Sequence, residues 1–231
     1  MSPSEDKPFE PKVDDLCRLH WLALHRRTVS VLEYGSGFST AIFAHALSLL
    51  DRFYGDWAKK KLRCQKPFHV HSVEEEQSFL DVTANRLSAE LKPFASLYRS
   101  SVELTQIDSR FVTLYSNSPN ISPDLIYLDG PSQYATTQEV RGFTIANPER
   151  MPIAADIVTF EFFLQPGTLV VIDGRTANAR FLQAYLKRNW AYHHEAAGDV
   201  HLFELQEEPF GSINKRQMDF CRTGQWLLPE R

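Results

Sequence analysis

The stretch Val31-Leu32-Glu33-Tyr34-Gly35-Ser36-Gly37-Phe38-Ser39-Thr40 decides how this sequence is read. An apolar run (Val29, Val31, Leu32) meets an acid and then two glycines one residue apart. A long apolar helix is expected to begin near Ser39. Glycine suits a tight turn and lets backbone N–H groups approach a ligand closely. The helix that follows opens with unpaired N–H donors and a partial positive charge. Ser39 or Thr40 is suited to cap it. Strand, glycine turn and helix in succession describe a loop that holds a small polar ligand.

Working outward, Val13–Arg27 carries acids at its start (Asp14, Asp15) and bases at its end (His25, Arg26, Arg27), the polarity a helix dipole favours. Ser39–Phe53 is apolar nearly all round and predicts a buried helix. Asp56–Lys66 reads as a basic, solvated connection. Phe68–Val73 alternates as a strand and ends at Glu74-Glu75-Glu76; the next helix sets Leu80, Ala84, Leu87 and Leu91 along one side. Strands are expected at Ser96–Leu104, Asp124–Asp129 and Thr168–Ile172, with a short extra one at Arg110–Tyr115. Asn117–Pro123 is a turn. Residues 132–152 are polar and weakly patterned, placed to fold over the edge as a lid. Helices follow at Ile153–Leu164 and after a Thr176 cap, where Phe181, Leu182, Tyr185 and Leu186 share a face. Trp190–His194 and Val200–Leu205 form a closing antiparallel pair. Strands alternating with helices imply a mainly parallel sheet with helices on both faces, an α/β fold.

The 231 residues suffice for one domain with a full core, spanning 1–231 with a lead-in over about 1–28 and a tail over about 207–231. Phe220 and Trp226 of that tail are expected to pack. A net charge of −4, with no isolated block of Lys or Arg, gives a nucleic-acid partner no electrostatic support. No apolar run is long enough for a membrane span, and the polar N-terminus does not read as a secretory signal. Cys17, Cys64 and Cys221 are widely spaced and odd in number, which argues for a reducing, cytoplasmic setting.

In an open α/β sheet, ligands bind outside the carboxyl ends of the strands. Four predicted strands end there in acids: Glu33, Glu74, Asp129 and Asp173. One such carboxylate is readily a cap or a salt bridge; four beside a glycine loop point to a site. A dinucleotide fingerprint reads G-x-G-x-x-G, and position 40 is Thr rather than Gly. The pattern E-x-G-x-G-x-S-T resembles instead the first motif of the class I S-adenosylmethionine-dependent methyltransferases. Order and spacing of elements carry the resemblance over about Val29–Leu205.

The resemblance implies a Rossmann-like, seven-stranded, mostly parallel sheet and S-adenosylmethionine as cofactor. It implies that Glu33 and the backbone of Gly35, Ser36 and Gly37 bound the methionine moiety, with Ser39 and Thr40 capping the helix beside it. Glu74 would take the two ribose hydroxyls, with Glu75 the alternative one residue on. Ser101 would lie near the adenine. Asp129 would face the methionine amino group or the substrate.

Methyl transfer from a sulfonium requires an aligned acceptor and removal of a proton. Asp129 and Asp173, each at a strand end before a glycine, are the candidate catalytic carboxylates. The same pair suits Mg²⁺, as in some small-molecule O-methyltransferases of this fold. Those typically carry Asp-Asn after the fifth strand, whereas Gly174 follows Asp173 here. Arg175 and Tyr134 are substrate-contact candidates, and the Arg175 fork suits a carboxylate, a phosphate or paired sugar oxygens. The alternative for Arg175 is an ion pair with Asp129 or Asp173. Asn178 and Arg180 lie where one face of a helix turn would point toward the site. His69, His71, His193, His194 and His201 read as packing residues; the late ones reach the site only if a turn brings them there.

The block Asp173–Leu182 also resembles one in methyltransferase-like proteins of bacterial surface-polysaccharide gene clusters, which implies a sugar or glycan acceptor. The expected function is S-adenosylmethionine-dependent O-methylation of a small-molecule or carbohydrate acceptor. The rivals are a nucleotide-cofactor oxidoreductase and a non-catalytic methyltransferase-fold binding or assembly protein. A homodimer stays open, since no surface stripe specifies one.

Overall fold

The computed structural model describes residues 12–221. The charge-polarised lead-in forms α1 (Val13–Arg26), and Arg27 ends it in the left-handed region with its N–H on the Ala23 and Leu24 carbonyls. Then come β1 (Ser30–Tyr34), α2 (Phe38–Lys61), β2 (His69–Glu74), α3 (Gln77–Arg86), β3 (Ala95–Arg99), β4 (Val102–Ile107), β5 (Arg110–Tyr115) and β6 (Leu125–Leu128). The rest is α4 (Asp156–Phe160), β7 (Leu169–Asp173), α5 (Thr176–Tyr185), β8 (Trp190–Glu195), β9 (Val200–Leu205) and α6 (Ser212–Cys221).

Seven strands form one sheet in the order β3-β2-β1-β6-β7-β9-β8, and β4 and β5 pair separately. β1, β2, β3, β6 and β7 run parallel, while β9 is antiparallel to both β7 and β8. β1, β2 and β6 are buried along their whole length, as strands covered on both faces must be. Val31, Leu125 and Val171 face a core shared with Leu19 of α1, Phe43 and Leu47 of α2 and Phe220 of α6. Leu32, Ile126 and Val170 face the opposite core, with Ile157 of α4, Leu182 of α5 and Tyr115 of β5. This is the expected α/β architecture of the class I methyltransferase fold. No helix of the described residues is long and apolar enough to cross a membrane.

The structure departs from the sequence reading at five places. α2 continues through the segment read as a solvated connection, because Ala58 is buried and Trp57 stacks on Phe220 at 4.8 Å. Its three terminal lysines also suit the dipole. The strand expected over 96–104 breaks at Ser100–Ser101, where the Ser100 hydroxyl accepts the Asn117 N–H at 2.8 Å and β4 turns away to pair with β5. α3 stops at Arg86; Leu87 turns extended and packs from outside the helix. The helix expected over 153–164 is shortened to α4 and a following 3₁₀ turn. Residues 132–152 start at the sheet edge, where the Ser132 N–H bonds Glu75 at 2.7 Å. They run back along the β4–β5 hairpin, where Phe143 stacks on Phe111 at 4.6 Å and Gln138 accepts the Leu104 N–H at 2.7 Å. Trp226 and residues 1–11 lie outside the described residues.

Candidate functional site

The strand order reverses at β1. The chain runs outward through β2 and β3, then returns to β6 on the other side. Such a switch point leaves a crevice at the carboxyl ends of the strands. Here Gly35 and the Asp129–Gly130 turn meet in it. Gly35 takes φ 94°, and a Cβ there would stand 3.0 Å from the Gly130 nitrogen. A Cβ on Gly130 would press on the Tyr115 hydroxyl and stand 2.9 Å from the Gly35 nitrogen. Gly37 differs: its φ of 174° is open to any residue, and a Cβ would meet nothing within 4 Å.

α2 begins one residue earlier than expected. Gly37 is its cap residue, and Ser39 and Thr40 sit inside the first turn. The Thr40 hydroxyl donates to Glu33 at 2.6 Å and accepts the Gly37 N–H at 3.1 Å. It thereby ties the strand end to the loop. Glu33 is fully buried, and its Oε1 has no hydrogen-bond partner among the described residues. Burial raises its pKa to about 7, against bonds from Ser39, Thr40 and Ser72, and the Asp129 charge adds to the rise.

At the end of β2, Glu74 accepts three backbone donors. Its Oε2 accepts the Ser36 N–H at 2.7 Å; its Oε1 accepts those of Glu75 at 3.0 Å and Glu76 at 3.1 Å. A carboxylate has about four acceptor positions, so one remains, on Oε2. Burial, and then the Glu75 charge, raise the Glu74 pKa. Glu75 accepts the Tyr115 hydroxyl at 2.9 Å and the Ser132 N–H at 2.7 Å. Glu74 thus locks β2 to the glycine loop, and Glu75 locks it to the turn after β6. Ser101 is exposed at the β3–β4 break, with its hydroxyl 2.8 Å from that of Ser116.

Asp129 and Asp173 end adjacent strands on the α1 side of the sheet. Asp129 keeps 53% of its side chain exposed. Desolvation by the crevice walls pushes its pKa up to about 6, with Arg175 pulling down and Asp173 pushing up. Arg175 is buried, donates to the Asp129 carbonyl at 2.7 Å and the Pro131 carbonyl at 3.0 Å, and lies 3.6 Å from the Asp129 carboxylate. It clamps the turn that carries Asp129. Asp173 accepts the Tyr127 hydroxyl at 3.3 Å. Burial and the neighbouring Asp15 raise its pKa against that bond. Asp173 and Tyr127 line a cavity of about 130 Å³ beneath α1, walled by Arg18, Trp21, Leu22 and Glu195.

The structure therefore gathers Glu33, the glycine loop, Glu74 and Asp129 at the switch point, and sets Asp173 beside them on the next strand. Thr40 is buried behind the loop, and Tyr134 is half exposed on the segment after Pro131. Asn178 turns away from the site: its amide bonds both the N–H and the carbonyl of Ala154. Thr176 does not cap α5 with its side chain; its hydroxyl lies 3.1 Å from His201 Nε2. Sequence reasoning missed Tyr127, the Tyr115 partner of Glu75, and the α1 residues over Asp173; Glu75 itself was named only as the alternative to Glu74. Asp15 looked like a dipole partner alone, and only the packing of α1 turns it toward Asp173.

No protein-family model and no curated protein sequence matches the chain. Among solved structures it is similar to the O-methyltransferase TomG from Streptomyces achromogenes, involved in tomaymycin synthesis and solved with S-adenosylmethionine. The two are 16% identical over 86% of this chain and 82% of that one, with a TM-score of 0.47. An O-methyltransferase from Bacillus cereus in complex with S-adenosylhomocysteine is 11% identical over 87% of this chain and 84% of that one, at 0.48. The N-methyltransferase NodS from Bradyrhizobium japonicum, with the same product, is 16% identical over 88% and 90%, at 0.39. The fold assignment rests on the strand order itself.

Proposed function

We propose that the chain is a one-domain, S-adenosylmethionine-dependent methyltransferase that acts on oxygen of a small-molecule or glycan acceptor. The observation that carries this reading is the β1–β6 switch point, where a glycine loop, an unpartnered buried Glu33 oxygen and a half-exposed Asp129 converge. These residues fit the cofactor. Glu33 Oε1 and Asp129 are acceptors for an ammonium group, Gly37 leaves open space at the start of α2, and Glu74 Oε2 keeps one position for a ribose hydroxyl. Ser101 is the candidate neighbour of the adenine. When bound, the cofactor supplies an electrophilic methyl group on a cationic sulfur.

The chain's own residues supply position and proton transfer. Carboxylates with raised pKa values are stronger bases than ordinary surface acids, which suits Asp129 and Asp173 for taking the acceptor's proton. Arg175 holds the Asp129 turn in place, and Tyr134 stands at the outer rim. The cavity beneath α1 suits a hydroxylated ring: Trp21 and Leu22 offer apolar walls, and Arg18, Glu195 and Asp173 offer polar ones. The resemblance of Asp173–Leu182 to proteins of surface-polysaccharide gene clusters supports a glycan precursor. The three free cysteines accord with a cytoplasmic site of action.

Calorimetric titration of the full chain with S-adenosylmethionine, S-adenosylhomocysteine and NAD tests the reading. The expected result is binding of both sulfur compounds and none of NAD. Failure of both sulfur compounds to bind overturns it, and NAD binding favours the oxidoreductase.

A further inference from the structure

The β8–β9 hairpin brings together three ligand-type side chains that methyl transfer does not use. His194 and His201 are directly paired across the two strands, so their rings project from the same face. The rings stack with centroids 4.1 Å apart and 12° between planes. The turn between the strands returns Asp199 toward both: its Oδ1 lies 3.5 Å from His194 Nε2 and 3.9 Å from His201 Nε2. Among the described residues, these three form a group whose donor atoms all lie within 4.8 Å of one another.

We propose that His194, Asp199 and His201 bind one divalent transition-metal ion of the zinc class. The donor set chooses the ion. Two imidazole nitrogens and one carboxylate suit zinc and its neighbours, whereas Mg²⁺ and Ca²⁺ prefer oxygen alone. Ligands at about 2.0–2.1 Å from a tetrahedral centre stand about 3.3 Å apart, so the 3.5 Å and 3.9 Å separations to Asp199 need only a small contraction, and the two imidazole nitrogens close from within 4.8 Å. Three protein ligands leave a fourth position for water.

The surroundings orient the ligands. Tyr192 hydroxyl lies 2.9 Å from His201 Nδ1, the outer contact a metal-bound histidine needs to present Nε2. The Asp199 carbonyl accepts the Gly174 N–H at 2.9 Å, which fixes the turn against the end of β7. The His201 ring is buried, which holds it in place. The Thr176 hydroxyl, 3.1 Å from Nε2, yields that position to the ion.

The test uses the full chain, stripped with a chelator and titrated with Zn²⁺ in a calorimeter and with Co²⁺ by visible absorption, without cofactor. One equivalent is expected to bind with either ion, and Co²⁺ should give the intense bands of a four-coordinate centre. His194→Ala and Asp199→Asn, both at exposed positions, should each weaken binding by about tenfold or more, and His193→Ala on the opposite face should not. No stoichiometric binding, or binding that neither variant weakens, overturns the proposal and leaves an ordinary His–Asp ion pair. Because the readout is metal binding, it stands or falls separately from cofactor binding.

Discussion

At the β1–β2 end of the sheet's carboxyl edge, carboxylates accept backbone N–H groups; at the β6–β7 end, they face side chains and open space. Glu74 takes three N–H donors and Glu75 one more, and the glycine loop rests against the Gly130 turn with no room for a Cβ on either side. Asp129 is half exposed, and Asp173 has a tyrosine hydroxyl and a cavity beside it. Backbone donors hold a shape that sequence change outside the glycines hardly alters. Side-chain partners can be exchanged without rebuilding the strand ends. The first end is thus suited to a fixed ligand and the second to a variable one, in line with the proposed division between cofactor and acceptor.

Breaking the rigid end should have the largest effect. Gly130→Ala drives a methyl group into the Tyr115 hydroxyl and the Gly35 backbone; overpacking of this kind costs about 1–3 kcal/mol. S-adenosylhomocysteine affinity should fall at least tenfold by calorimetry, on the order of 1.4 kcal/mol, with a lowered Tm. At the open end, Asp173→Asn should leave that affinity near wild type, whereas Asp129→Asn, which removes an acceptor for the cofactor's ammonium group, should weaken it. Once an acceptor is found, whichever carboxylate is the base should cost roughly a hundredfold or more in turnover when replaced. With Asp129 as base, the rate should climb as pH rises through about 6 and level off above it, because the carboxylate must be ionised to accept the proton. An acid limb unaffected by Asp129→Asn would move the role to Asp173.

Arg175→Met strips the Asp129 and Pro131 carbonyls of their donor and should cost about 1–3 kcal/mol. Arg175→Lys should restore part of this in chemical denaturation. Glu33 gives a smaller, pH-dependent effect. Its folded pKa lies above the unfolded value, so the folded chain holds the extra proton between the two values of 4.5 and about 7. Its contribution to stability therefore falls as pH rises through that window. The Tm of Glu33→Gln should gain on wild type as pH rises from 5 to 8, by on the order of 2 °C or more. A constant difference across that range would mean that Glu33 does not titrate there. Gly37→Ala should change stability least, within about 0.5 kcal/mol, because its Cβ enters open space. A large loss there would refute the open-space reading.

The centre of the sheet was legible because β2, β6 and β7 are largely apolar or end in acids, and those patterns survive any packing. The boundaries that failed depended on distant partners. α2 runs on to Lys61 because Phe220 of α6 covers Trp57, a contact across most of the chain. The 132–152 segment leaves the edge because Phe143 finds Phe111. Within the site, the glycines and strand-end acids were visible as types and positions. The pairing of Arg175 with Asp129 was one of the two readings its position allowed, whereas the bonds of Glu75 and Arg175 to Tyr115, Ser132 and the Pro131 carbonyl were not legible, because those partners reach them only through tertiary contacts.

The local pattern of Glu33-Tyr34-Gly35-Ser36-Gly37 by itself determined that a tight glycine turn follows the first strand, since a turn needing φ 94° and close backbone approach restricts residue type directly. Tertiary structure alone decided what surrounds that loop. It made Thr40 a tie to Glu33 as well as an acceptor for the cap residue's N–H, filled three of Glu74's acceptor positions, and drew His194, Asp199 and His201 together. The reason is physical. Backbone conformation constrains residues one at a time, whereas a hydrogen bond or ligand set depends on which distant segments the sheet order makes neighbours.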